Sequence, residues 1–138
     1  IEDLYVKSHR FTDLTAESAD KALAKIKPEL IDLSIEFEPR NARTMVLSVR
    51  GLEIKYDTAN RQFTCATTKV PAPAIDGKVK LRLLVDRTSL ELFANEGAAV
   101  STDYADIAPD NRNLSIAADG NVGIISLTVN ELKSAWKQ

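Results

Sequence analysis

The 138-residue sequence predicts an all-β fold: a two-sheet antiparallel β-sandwich with at most one short helix near the N-terminus. Three observations carry this. Apolar and polar residues alternate with a period of two in short runs, the pattern of strands that bury one face. Gly, Pro, Asn and Asp turns separate these runs of about four to eight residues at regular spacing, as in two packed sheets. Only one stretch has helical spacing.

Residues 1–6 read as a short entry strand or linker. Residues 13–27 carry the helical spacing: Thr15 or Ser18 caps it, and Ala19, Leu23 and Ile26 fall on one face. At about three turns it is marginal without packing, and Pro28 ends it. Residues 30–37 alternate Leu30, Asp32, Ser34 and Glu36 against Ile31, Leu33, Ile35 and Phe37. Pro39, Arg40 and Asn41 make a turn. Strands follow at 44–49, 52–56 and 61–67, broken by Arg50-Gly51 and by 57–60. Pro71, Pro73 and Asp76-Gly77 mark a loop. Beyond the central stretch, 106–113 is polar and turn-rich. Strands at 114–117, 122–126 and 127–132 follow, with a turn at 119–121. The division is an entry segment over 1–28 and a β-sandwich module over 29–138, one domain in all.

The stretch 80–102 organises the chain. Leu81, Leu83 and Val85 alternate with Lys80, Arg82 and Leu84; Leu90, Leu92 and Ala94 alternate with Glu91, Phe93 and Asn95. Pairing Val85 with Leu90, Leu83 with Leu92 and Leu81 with Ala94 joins every inward residue to an inward partner. A slip of one residue breaks this, so the core face selects the register. Gly97 supplies the turn into a third strand.

Composition narrows the function classes. With 44% hydrophobic and 28% charged residues the chain suits one globular domain, able to bury roughly two thirds of its unfolded surface. A net charge of -2 gives no electrostatic footprint for nucleic acid, and no apolar run is long enough to span a membrane. Cys65 is alone, so it makes no internal disulfide and reads as a buried small hydrophobe. The chain opens at Ile1 with neither an initiator Met nor a signal peptide, the pattern expected of an excised fragment.

Few residues offer chemistry. In the register above Glu91 lies opposite Leu84, and Asp86 follows on the same face, so the two carboxylates are about 7–8 Å apart. That is within the range of about 6.5–9.5 Å of inverting glycosidases. Arg82 and Arg87 flank them, however, and nearby cations lower a carboxylate pKa where a general acid needs it raised. An ion pair is the better reading. His9, the one histidine, has no nucleophile or ligand set around it and reads as a surface residue. Trp136, Tyr104, Tyr56 and Phe93 are the rings on which a sugar would stack, with Trp136 and Tyr104 the carbohydrate-binding candidates. Aromatics make up only 6% of the chain, which favours packing roles. Leu84 and Phe93 stand on the hairpin face opposite the core, so a partner is expected to cover them, and they are the candidate domain-interface residues.

The segment LRLLVDRTSLELFANEG resembles the signature hairpin in the C-terminal β-sandwich of glycoside hydrolase family 32, which holds invertases, levanases and inulinases. The tail Leu132-Lys133-Ser134-Ala135-Trp136 and the strand PELIDLSIEFEP are similar to that module too. The resemblance implies a concanavalin-like, lectin-like jelly roll that follows a five-bladed catalytic propeller. The family's Trp-Met-Asn-Asp-Pro, Arg-Asp-Pro and Glu-Cys motifs belong to the propeller, and none is in this chain. No catalytic residue is carried over, and the chain alone is expected to be inactive. The resemblance implies a parent glycosidase of the β-fructofuranosidase type, without cofactor or metal. It implies an extracellular or periplasmic location, and as partners the propeller of the same chain and a fructan oligosaccharide. Three roles stay open: a module packing on the propeller, a lectin-like fructan binder, or an oligomerisation module. An aromatic-lined groove with convergent polar groups favours the second; a large apolar patch favours the first or third.

Overall fold

The computed structural model describes residues 5–66, 68–86, 89–95, 97, 99–104 and 110–132. In chain order the elements are β1 (Tyr5–Thr15), α1 (Ala16–Leu23), β2 (Leu30–Glu38), β3 (Thr44–Val49), β4 (Leu52–Asp57), β5 (Gln62–Cys65), β6 (Thr68–Pro71), β7 (Val79–Val85), β8 (Ser89–Ala94), β9 (Ala99–Tyr104), β10 (Leu114–Ala118) and β11 (Gly123–Leu132). One sheet has six strands in the order β1-β11-β2-β7-β8-β9, the other five in the order β10-β3-β4-β5-β6. All strand pairs are antiparallel. The predicted β-sandwich with one short helix is the observed architecture.

The core lies between the sheets. Val129, Leu33, Leu83 and Leu92 form one cross-strand row on β11, β2, β7 and β8, each at most 1% exposed. Phe37, Tyr56 and Phe63 bridge the two sheets, with ring centroids 4.9–6.3 Å apart. Phe37 meets the other two rings edge-on, the arrangement that ring quadrupoles favour. The Tyr56 hydroxyl donates to the Ala72 carbonyl at 2.8 Å, so the one polar tip in this cluster is satisfied. The central hairpin has the register read from its alternation, with Val85 opposite Leu90, Leu83 opposite Leu92 and Leu81 opposite Ala94.

The helix begins where the sequence placed it. Thr15 is the N-cap, and its hydroxyl accepts from the Ser18 amide while Ser18 Oγ accepts from the Thr15 amide. Ala19, Leu23 and the following Ile26 are buried in the core. Asp20 Oδ1 accepts from the Ile116 amide at 2.9 Å, so the helix also covers the edge strand β10.

Several boundaries differ from the sequence reading: β1 runs over Tyr5–Thr15 and α1 over Ala16–Leu23, against 1–6 and 13–27. The stretch 61–67 divides into β5 and β6, with Ala66 at φ 53° in the turn. The pair 122–126 and 127–132 is instead one strand, β11, with a bulge between Ile124 and Ser126. The extra residue puts Ile124 and Leu127, three apart, on the same inward face and breaks the alternation. Within 1–28, β1 forms the edge of the six-stranded sheet against β11.

Candidate functional site

Strands β2, β7 and β8 send every second side chain out of the sandwich, on the face away from the core. Pairing with β11 orders these outward residues into rows. One row is Asn130, Asp32, Leu84 and Glu91; the next is Thr128, Ser34, Arg82 and Phe93; a third continues through Ser126, Glu36 and Lys80. The second and third rows, Thr128 excepted, line a trough of about 480 Å³, formed by Ser34, Glu36, Lys80, Arg82, Phe93 and Ser126 together with Ile35, Leu81 and Gly97. Glu36 and Lys80 also line a second hollow of about 290 Å³, closed by Ile75, Asp76, Lys78 and Asn95.

The trough rests on fixed parts. Arg82 Nε and Nη2 each donate to Asp32 at 2.9 Å, a bidentate pair. The Asp32 side chain is only 3% exposed although it faces away from the core, because the guanidinium lies over it. Asn130 beside it is buried and accepts from Ser8 Oγ at 2.6 Å. At the other end, Asn95 Oδ1 accepts from the Lys80 amide and Asn95 Nδ2 donates to the Pro73 carbonyl. This ties the β8 end to a tight turn in which Ile75 and Lys78 exchange backbone hydrogen bonds, with Asp76 and Gly77 at positive φ. Ile75, which flanks this turn, is 59% exposed, the one large hydrophobic so exposed among the described residues.

Leu84 and Phe93 both lie on this outer face, as expected, and both are half-buried. Phe93 lines the trough; Leu84 is one row away, opposite Glu91. Of the groups expected to form an ion-pair cluster around Asp86 and Glu91, Arg87 lies outside the described residues. Asp86 Oδ1 accepts from the Ser89 amide and hydroxyl and closes its own turn, while Arg82 bonds Asp32. His9 is not a lone surface residue, since its Nε2 lies 2.6 Å from Glu131 Oε2 on the half-buried β1–β11 edge. Tyr56 is 2% exposed and offers no face to a sugar. Tyr104 lies in β9, where its backbone pairs with Ser89, and Trp136 lies outside the described residues.

Sequence reasoning missed Ser34, Glu36, Lys80 and Ser126 as a group. Their outward phase on β2 and β7 was readable, but the register that sets Glu36 against Lys80 joins residues forty-odd positions apart. Glycoside hydrolysis needs two carboxyls with separate roles; of Asp32 and Glu36, the two near the trough among the described residues, Asp32 is locked to Arg82. No cluster of three metal-ligating side chains occurs among the described residues.

The fold is a two-sheet, lectin-like β-sandwich. The family model described as "Glycosyl hydrolases family 32 C terminal" matches residues 1–131, and the chain belongs to that family. It is 39% identical over 105 residues to a levanase of Bacillus subtilis, covering 74% of this chain and 15% of the levanase. Among solved structures it is similar to the exo-inulinase of Aspergillus awamori, at TM-score 0.73 and 19% identity over 96% of this chain and 30% of that one. A galectin from Caenorhabditis elegans superposes at TM-score 0.57 with 10% identity, covering 91% of this chain and 93% of the galectin. At these identities the two structures show the fold alone. The chain spans less than a third of the levanase and of the inulinase.

Proposed function

We propose that this chain is the non-catalytic C-terminal module of a fructan- or sucrose-hydrolysing enzyme, and that it packs on and stabilises the propeller domain carrying catalysis. The observation that carries this reading is the family match over residues 1–131, in a chain without the propeller's carboxylate motifs. The levanase and exo-inulinase names of its relatives support fructan as the parent's substrate class. Leu84 and Phe93 are the apolar groups on the outer face of the six-stranded sheet through which the two parts would meet. They are half-buried and compact, so the contact they offer is small and needs polar groups around it.

The test compares the longer enzyme with and without this module. The module should raise the catalytic domain's melting temperature, and Leu84→Asp should remove that gain while leaving the isolated module folded. A catalytic domain equally stable and equally active without the module would refute the reading. So would a Leu84→Asp variant with the full gain.

A further inference from the structure

We propose that the trough formed by Ser34, Glu36, Lys80, Arg82, Phe93 and Ser126 is a binding site for a neutral oligosaccharide. The inference goes beyond the packing role and does not depend on it.

Three features of the trough select the ligand. Its volume of about 480 Å³ lies in the range of small-molecule sites, about 300–1,000 Å³. Its lining combines apolar surface, including Ile35 and Leu81, with acceptor, donor and amphoteric groups: the Glu36 carboxylate, the Lys80 and Arg82 cations, and the Ser34 and Ser126 hydroxyls. Such a set matches hydroxyl groups, each of which donates and accepts. Among the described residues the charges balance, with Asp32 and Glu36 against Lys80 and Arg82, which suits a neutral polyol. Phe93 adds an aromatic surface at one side for the apolar face of a sugar ring.

Glu36 is the most telling member. It is half-buried in the trough, yet its carboxylate has no hydrogen-bond or ion-pair partner among the described residues. A half-desolvated carboxylate is costly unless something hydrogen-bonds it, and sugar hydroxyls do so. Arg82 contributes pre-organisation, because its bidentate bond to buried Asp32 holds the guanidinium plane before any ligand arrives. Phe93, the diagonal neighbour of Leu84, belongs both to the proposed domain contact and to one end of the trough, which continues from there along the third row.

The test titrates this chain, without any catalytic domain, with levan-type and inulin-type fructo-oligosaccharides. It uses calorimetry and backbone NMR shifts. Saturable binding with a dissociation constant of about 0.1–1 mM is expected, the range for a small neutral ligand on an open site. Shifts should cluster on β2, β7 and β8, and affinity should be unchanged by added salt because the ligand carries no charge. Glu36→Gln and Phe93→Ala should each weaken binding about tenfold, whereas Lys55→Ala on the opposite sheet should leave it unchanged. Circular dichroism confirms that each variant is folded. Absence of saturable binding by the folded chain would overturn the site, as would binding that Glu36→Gln and Phe93→Ala leave untouched or shifts confined to another face. None of these outcomes bears on the domain-packing test, which reads the stability of the longer enzyme.

Discussion

Leu83→Ala tests the central register directly. Leu83 is fully buried on β7, with Leu33 of β2 on one side and Leu92 of β8 on the other, both at most 1% exposed. Truncation removes the apolar contacts of the missing carbons and leaves a cavity. The hydrogen-bonded strands on both flanks restrict collapse, so the cost falls in the upper part of the usual Leu→Ala range, about 3–5 kcal/mol. A domain's whole stability is about 5–15 kcal/mol, so this is a large share. For a chain of this size each kcal/mol lowers the melting midpoint by about 3–6 °C, so a drop of about 9–30 °C is expected. Glu91→Ala, one position from Leu92 but on the outer face and with no ion-pair partner among the described residues, should cost about 0.5 kcal/mol or less. Urea melts of both variants, followed by circular dichroism, make the comparison. Equal losses, or a larger loss at Glu91, would show that the faces are assigned the wrong way round.

Three further perturbations follow from local geometry. Thr15→Ala removes the hydroxyl that accepts the Ser18 amide at the helix start, and a thermal melt should show a loss of about 1 kcal/mol. Tyr56→Phe leaves the Ala72 carbonyl without its donor and should cost about 1–2 kcal/mol. Burial also pushes the Tyr56 hydroxyl above its ordinary value of 10.0, so folding favours the protonated form. That contribution is full below pH 10 and lost as pH rises through the folded-state value; alkaline melts should therefore steepen above pH 10 in the wild type and less in Tyr56→Phe. Asp119 is held below its ordinary 3.8, first by the Thr44 amide, then by the Arg43 amide and the Thr44 hydroxyl. Its contribution is present above that value and lost as pH falls through the folded-state value, so Asp119→Asn should flatten the acid limb of a pH–stability curve.

The sequence made the central hairpin legible because Leu81, Leu83 and Val85 can face Leu90, Leu92 and Ala94 in only one register with every apolar residue inside. The helix start was legible because Thr15 and Ser18 carry their capping chemistry locally. β1 was less so. It is an edge strand whose polar residues outnumber its apolar ones, and the helix signal beginning at Asp13 overlaps its end. β11 read as two strands because its bulge resets the alternation after Ile124. The trough escaped for a different reason. Its members sit on separate strands, and Asp32, the partner of Arg82, is defined only once β2 is laid beside β7. Phe93 and Leu84 were visible as apolar residues on a polar face, but not that one would line a hollow and the other stand apart from it.

The pairing of the first strand with the last has a consequence for synthesis. Ser8 and Asn130 are hydrogen-bonded across 122 positions, and β11 fills the place between β1 and β2. A ribosome adding about 5–20 residues per second needs roughly 5–20 s to pass from the end of β1 to the start of β11. Through that interval the nascent β2 has an open edge that another nascent chain could extend. Asp32, Glu36 and Glu38 along β2 put negative charge on the waiting strand and repel a second copy of it. The carboxylates that furnish the finished face thus also guard the unfinished one.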